Sequence, residues 1–440
     1  MKKNYLNIFV LTSSLIAVTA TGCKKDYKNP NQATTDQIFA SDRGATAVAV
    51  GLQKVYSVSA ASSLYALVNA NGFVTKELIL RNAGNIPELQ LSTGGSAVDG
   101  TNTVLNNVWT KSSKIIFDAD NVIRFANGLG DKSYASGLIS YASIFKALSI
   151  GNLAMFWEKV PDTTGQNVGF INRVDGYKKA VAVLNNAIAA YTAAAPSTAV
   201  LNRLQVQDAT TKVYPIDILN TLYALKARYS LFAGDYATAL SAANQVDLTK
   251  TSVLTFDALN QNPVFESATA TNNVFQPVDT TLGLPKVLEP NVADKRIPFY
   301  VGINTSIAPR YRIKGFYASG TTAVPIYLPG EMLLIKAEAY ARQDKLPEAL
   351  IELNKVITKK PSEDAFGVGA DLTPIVGPLT KDQILTEIYR QRSIELFMSG
   401  LRLEDMRRLA RPLEERKRNF FPYPFQERDN NPNTPADPTF

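Results

Sequence analysis

The 440-residue chain has room for two or three domains or for one large helical body with insertions, and its 45% hydrophobic content is ordinary for a globular protein. It has no histidine and one cysteine, which excludes Ser-His-Asp and Cys-His catalysis, histidine-ligated metals and internal disulfides. The net charge of +7 includes Lys2 and Lys3, and much of the remainder lies in the Arg-rich stretch 402–418, mixed with acids; no basic patch interleaved with aromatics stands out, so no nucleic-acid partner is expected.

Lys2-Lys3 opens the chain, residues 8–20 form an apolar run too short to span a bilayer comfortably, and Ala20-Thr21-Gly22 leads directly to Cys23. This is the layout of a secretory signal over residues 1–22. A lone cysteine straight after small residues makes the site resemble a bacterial lipobox, in which the Cys23 thiol is lipidated and becomes the mature N-terminus. Ala20 departs from that pattern, which prefers leucine there. Buried acyl chains contribute about 0.8 kcal/mol per CH₂, so a multiply acylated Cys23 would hold the protein durably on a membrane. The alternative is a secreted protein whose cysteine is incidental. Residues 23–33 read as a polar, proline-containing tether and 34–440 as a single domain.

Residues 34–56 predict a helix or helix pair burying Ile38, Phe39, Ala45, Val48, Leu52 and Tyr56, and helical patterning continues over 64–80. A Gly/Asn/Ser-rich loop follows over 81–96, with Arg81, Asn82 and Asn85 as candidate ligand contacts. Trp109, Ile115, Ile116, Ala119 and Val122 resume a helical stripe, which makes Trp109 a core residue. After a helix at 140–156, a long turn carries Trp157 and Pro161 to Phe170; a loop of that length in a packed helical body is usually functional or disordered, and Trp157 joins the candidate contacts.

The clearest pattern in the chain is residues 329–357, two amphipathic helices around the polar turn Gln343-Asp344-Lys345. Leu333, Leu334, Ala337, Tyr340 and Ala341 form one apolar stripe; Leu346, Ala349, Leu350, Leu353 and Val356 form the other, with Pro347 in the first turn of the second helix. A shift of 110 residues lays Leu225-Lys226-Ala227 on Ile335-Lys336-Ala337 and Ala239-Leu240 on Ala349-Leu350. Tyr177, Ala180, Leu184 and Ile188 repeat the second stripe, with a partner helix carrying Lys146-Ala147, and a fourth pair begins near residue 104. Alanine at the contact points of recurrent helix pairs predicts an all-α, TPR-like scaffold, with pairs near 104–188, 219–248 and 330–358.

Between the last two pairs, residues 250–327 are rich in Asn, Thr, Pro and Gly and lack helical period. Tyr300, Arg310, Tyr311, Phe316 and Tyr317 lie in this long irregular insertion, and residues 311–317 read as a short strand or an irregular loop. Aromatics among Arg, Asn and Thr suit a sugar or a peptide, because a ring face packs on C–H groups while polar side chains pair with hydroxyls. The bland alternative is that these tyrosines fasten the loop to the helices. Thr380 and Gln383 form a capping box for a helix running toward Gly400, and Arg392, Glu395, Arg402 and Asp405 read as an ion-pair lock around that corner.

The C-terminal run Arg392, Glu395-Leu396, Gly400, Arg402, Asp405 and Arg407 resembles the signature of the SusD/RagB family of Bacteroidetes nutrient-binding lipoproteins. It departs from the signature at Gln391, Ser399, Leu403 and Met406. Leu334 to Tyr340 is similar to that family's core helix, and Phe421-Pro422-Tyr423-Pro424 with Asn431-Pro432-Asn433 is similar to its closing segment, so the C-terminal signature spans residues 380–433. The resemblance implies a lipid-anchored protein on the surface of the outer membrane, partnered with a SusC-like TonB-dependent barrel and binding an oligosaccharide or a peptide. It offers no catalytic residue to carry over, and no cofactor or metal-ligating residue is assigned. Two other readings stand beside it: a TPR-type protein-interaction scaffold without a small ligand, and a glycoside hydrolase using two of Glu77, Glu88 and Asp99, whose spacing singles out no pair.

Overall fold

The computed structural model describes residues 34–269, 273–306 and 308–440; Cys23, the preceding signal segment and most of the tether lie outside them. The chain divides into residues 1–42 and 43–440. In the first unit, the described part carries helix α1 (Thr35–Ile38), started by a capping box between Thr34 and Gln37. The second unit holds the helical scaffold. It opens with α2 (Asp42–Ser57), α3 (Ser63–Val74), strand β1 (Leu78–Leu80), α4 (Ile86–Thr93), α5 (Thr103–Asn127) and α6 (Lys132–Phe156).

The long turn after α6 is an ordered hairpin of β2 (Lys159–Pro161) and β3 (Phe170–Asn172), closed where the Asp162 N–H donates to the Gly169 carbonyl at 2.8 Å. Then come α7 (Arg173–Ala193), α8 (Thr198–Leu204), α9 (Ile218–Phe232) and α10 (Tyr236–Ala243). The insertion carries β4 (Val253–Leu254), α11 (Pro263–Thr269), β5 (Phe275–Pro277), α12 (Arg296–Tyr300), β6 (Val301–Ile303), β7 (Tyr311–Ile313) and β8 (Val324–Pro325). The final helices are α13 (Pro329–Arg342), α14 (Leu346–Thr358), α15 (Lys381–Glu395), α16 (Arg402–Arg408) and α17 (Phe425–Asn430).

The scaffold is a run of neighbours: α5 packs on α6, α6 on α7, α7 on α9, α9 on α10, α10 on α13 and α13 on α14 and α15. The stripes expected at 329–357 are the ones buried. Leu333, Leu334, Ala337, Ala341, Ala349, Leu353 and Val356 form one apolar cluster, to which α15 adds Ile384 and Ile388. Two ion pairs pin the layers: Arg228 of α9 holds Glu331 of α13 through two 2.6 Å hydrogen bonds, and Arg408 of α16 holds Glu338 of α13 at 2.9 and 2.8 Å. Helix α6 is long and apolar enough to cross a membrane by composition, but it is the buried central helix here, packed against α5, α7, α8 and α9.

Three expectations change. The helical patterning over 64–80 breaks at Val74, because Leu78–Leu80 pairs as a strand with β5. The loop predicted over 81–96 contains the eight-residue α4, with Pro87 in its first turn, where its missing N–H costs nothing. Helix α15, begun by the Thr380–Gln383 capping box, stops at Glu395 rather than running on to Gly400. Gly400 (φ +80) instead turns the chain into α16, so close to Leu67 that a Cβ would lie 2.5 Å from Leu67 Cγ.

The insertion is closed at its base. Antiparallel pairing of β4 with β8 sets Val253 opposite Pro325 and Leu254 opposite Val324, so the irregular segment leaves and re-enters the scaffold at one point. Its far end is fixed to α15 by charge. Arg296 is fully buried and bonds Asp294 (3.0 and 2.7 Å), Glu395 (3.0 Å) and Gln391 (2.6 Å), while Lys359 reaches Glu395 at 2.9 Å and Asp364 at 2.6 Å.

Candidate functional site

Four of the aromatics expected to meet ligand are built into the fold instead. Trp157 has no exposed surface; its indole N–H donates to the Pro422 carbonyl at 2.9 Å and its ring stands edge-on to Trp109 at 4.8 Å. Tyr300 is buried against Phe299, Phe316 and Phe397, and its hydroxyl donates to the Glu395 carbonyl at 2.5 Å. Burial, reinforced by the Glu395 carboxylate, pushes that hydroxyl well above the usual phenol range, so it stays a neutral donor. The buried Tyr317 hydroxyl donates to the Met398 carbonyl at 2.9 Å. Phe316 is half-buried in the same aromatic cluster, with Phe299 and Phe366 against it. The physical reason is common to Trp157, Tyr300 and Tyr317: the insertion and the hairpin must be tied to the C-terminal segment, and an aromatic with a polar tip buries area while satisfying a backbone carbonyl, whereas Phe316 is held by ring packing.

The remaining predicted contacts stay at the surface, and the fold brings them to one strand. Strand β5 pairs antiparallel with β1 (Leu80 opposite Phe275), and the Arg81 N–H extends this ladder to the Val274 carbonyl at 2.8 Å. On the side of β7, the Gln276 side-chain oxygen of β5 accepts from the Ile313 N–H at 2.9 Å. The β6–β7 hairpin sets Tyr311 opposite Ile303, which is largely exposed. Arg81 and Arg310 are exposed and Tyr311 half-buried, with the Arg310 guanidinium 5.6 Å from the Tyr311 ring centre. Asn82 and Asn85 shape the turn before α4: Asn82 Oδ1 accepts from the Gly84 N–H at 2.9 Å and Asn85 Nδ2 donates to the Asn82 carbonyl at 3.1 Å. Two stretches about 230 residues apart in sequence thus flank β5 and offer an aromatic ring, two guanidinium groups and amides.

The carboxylates of the hydrolase reading are separately engaged. Glu77 is buried, accepting from Thr75 Oγ1 at 2.9 Å and the Met398 N–H at 3.0 Å. Glu88 accepts from the Tyr65 hydroxyl at 3.1 Å, and burial raises its carboxyl above the ordinary range. Asp99 closes a turn onto Thr101.

A second concavity was not assigned from sequence, although the long turn at 157–170 was its signal. It is a groove of about 310 Å³ between α5, α6, the start of α7 and the β2–β3 hairpin. Its floor is apolar, with Ile116, Ile150, Leu153 and Val160. Two ion pairs border it, Asp120 with Lys146 on the α5–α6 wall and Asp162 with Lys179 (3.2 Å) on the hairpin–α7 wall. Glu427 of α17 also lines it, its carboxylate holding the Trp109 indole N–H (3.1 Å) and Asn431 Nδ2 (2.8 Å). A separate cavity of about 60 Å³ lies inside the protein among Tyr56, Arg228, Tyr229, Tyr300 and Glu331, too small for a sugar or peptide.

The SusD family model matches residues 233–437. Solved structures share the fold over nearly the whole chain. A SusD superfamily protein from Bacteroides fragilis aligns over 90% of this chain and 99% of its own at 16% identity, TM-score 0.65. One from Parabacteroides distasonis aligns over 93% and 100% at 14% identity, TM-score 0.65. A laminarin-binding SusD-like protein aligns over 92% and 99% at 15% identity, TM-score 0.59. No curated protein matches this chain. The family match covers the last repeat pair, the insertion and the buried ion-pair corner, so residues 233–437 are similar to the SusD family, and the fold of the chain is the one seen in solved SusD superfamily proteins.

Proposed function

We propose that the protein is a lipid-anchored binder on the surface of the outer membrane that captures an oligosaccharide and delivers it to a SusC-like TonB-dependent barrel. The observation that carries the ligand-binding part is the convergence on β5 of Arg81 from one side and the Arg310–Tyr311 hairpin from the other, with side chains left at the surface. A half-exposed tyrosine ring offers a stacking plane for a sugar, and the guanidinium groups and amides beside it offer donors to hydroxyls. The family match and the laminarin-binding relative of the same fold support a glycan over a peptide. Binding is proposed without turnover: the three carboxylates of the hydrolase reading, Glu77, Glu88 and Asp99, each make separate contacts and form no facing pair.

The test is calorimetric titration of the soluble form lacking residues 1–23 against a panel of oligosaccharides and short peptides. One oligosaccharide should bind, and Tyr311→Ala and Arg81→Ala should each weaken it about tenfold or more, equivalent to about 1.4 kcal/mol. Binding untouched by both substitutions would move the site elsewhere. For the anchor, Cys23→Ala should shift the full-length protein from the membrane fraction to the soluble one. For the partner, a TonB-dependent barrel should co-purify with the wild-type protein from solubilised membranes.

A further inference from the structure

We propose that the groove between α5, α6 and the β2–β3 hairpin is a second ligand site, specific for the end of a neutral, hydroxyl-bearing molecule such as a glycan. At about 310 Å³ it falls at the lower end of the range for small-molecule sites, enough for a short ligand or a chain end. Its lining is apolar below and polar at the border, which suits a molecule with both C–H faces and hydroxyls.

Charge decides the ligand class. The two cationic groups of the groove are each paired with a carboxylate, Lys146 with Asp120 and Lys179 with Asp162, and Glu427 is held by Trp109 and Asn431. A net-charged ligand would have to break one of these pairs to find a partner. A neutral hydroxyl need not. Each lysine ammonium carries three N–H donors and makes one hydrogen bond within the protein, and Asp120 and Asp162 each receive their lysine on Oδ1, leaving Oδ2 able to accept. Hydroxyls can therefore donate to the carboxylates and accept from the ammonium groups with both ion pairs intact. Thr163 and Thr164 of the hairpin and Ser113 of α5 add three more hydroxyl partners.

Helix α5 sets an aromatic ring next to its lining residues. Ser113, Ile116 and Asp120 of α5 line the groove, and Phe117 sits on the same helix face, four residues from Ser113 and three from Asp120. Its side chain is 48% exposed, and no ring or cation contact within the described residues occupies it. An exposed phenylalanine beside an apolar floor has the geometry to stack on the C–H face of a sugar ring. This site is distinct from the β5 face: it is built from α5, α6, α7, α17 and the β2–β3 hairpin, and shares no residue with Arg81, Arg310 or Tyr311.

The choice of a sugar as ligand rests on the glycan reading above, and the experiment separates the two. The soluble protein is titrated, by ligand-observed NMR and calorimetry, with maltose and cellobiose as neutral probes, diglycine as a zwitterion and glucuronate as an anion. Phe117→Ala and Asp162→Asn serve as groove variants, both altering exposed side chains, and Tyr311→Ala as the variant of the other face; thermal melts confirm folding. The expected result is a neutral disaccharide with a binding component that falls at least tenfold in both groove variants and persists in Tyr311→Ala, which removes only the component on the β5 face. The inference is overturned if neither disaccharide binds, if bound disaccharide is indifferent to both groove variants, or if diglycine or glucuronate binds there instead. Disaccharide binding lost only in Tyr311→Ala would sink the groove and keep the β5 face; binding of longer oligosaccharides that is insensitive to Tyr311→Ala would sink the β5 face and leave the groove standing.

Discussion

The corner between α15 and α16 and the face around β5 use the same residue types to opposite ends. In the corner, Arg296, Arg392 and Arg402 are buried and the Arg408 side chain is largely enclosed, and each lies against a carboxylate: Arg296 on Asp294 and Glu395, Arg392 on Asp405, Arg402 beside Glu77 at 3.6 Å, and Arg408 on Asp405 and Glu338. On the β5 face, Arg81 and Arg310 are exposed and make no ion pair with any described residue. A buried charge costs several kcal/mol unless it is paired, so the corner's arginines are committed to holding the fold. An exposed guanidinium carries no such penalty and remains available to a ligand. Tyrosines divide the same way, Tyr300 and Tyr317 donating to backbone carbonyls of the corner while Tyr311 stays half-exposed.

The contrast breaks most sharply at Glu395. Glu395→Ala would leave Arg296 and Lys359 facing a lost counter-charge in a dry site, at an expected cost of about 3–5 kcal/mol in denaturant unfolding. Gly330 makes room for that carboxylate: a Cβ there would lie 1.8 Å from Glu395 Oε1. Gly330→Ala should therefore destabilise by roughly 1–3 kcal/mol, and by much less in the Glu395→Ala background, where the obstacle is gone. Additive costs in that double-mutant cycle would contradict the packing account.

A tyrosine pair sharpens the comparison at smaller scale. Tyr317→Phe removes one buried hydrogen bond and should lower stability by about 1 kcal/mol with ligand affinity intact. Tyr311→Ala should do the opposite, lowering affinity while moving stability by less than about 0.5 kcal/mol.

The smallest effect is a pH dependence at Glu88. Burial raises its carboxyl in the folded protein, which therefore holds the proton more tightly than the unfolded chain does. That contribution is present below the unfolded value of about 4.3 and is lost as pH rises through the folded one. Glu88→Gln should consequently melt higher than wild type at pH 7, and the difference should shrink as pH falls toward 4. A gap that widens on acidification would reverse the assignment.

Much of the scaffold is legible in the amino-acid sequence. The stripes Leu333–Ala341 and Ala349–Val356, the turn at Asp344 and the capping box at Thr380 all depend on neighbours within four residues, and all are present in the fold. The ion-pair corner is legible in kind but not in partners. Arg392 does meet Asp405, yet Glu395 reaches Arg296 and Lys359, and Arg402 reaches Glu77, more than 300 residues away. The site is legible in part. Arg81, Arg310 and Tyr311 remain surface candidates, whereas Trp157, Tyr300 and Tyr317 are drawn inside by carbonyls of the C-terminal segment that no local pattern announces.

What the sequence alone determined was therefore the helical repeat, because a helix buries its stripe at a period that the chain itself displays. The tertiary structure decided which of the many arginines and tyrosines are enclosed and which face solvent. That choice depends on which distant segment supplies the counter-charge or the carbonyl, and on whether packing leaves a gap, as it does between α5, α6 and the β2–β3 hairpin.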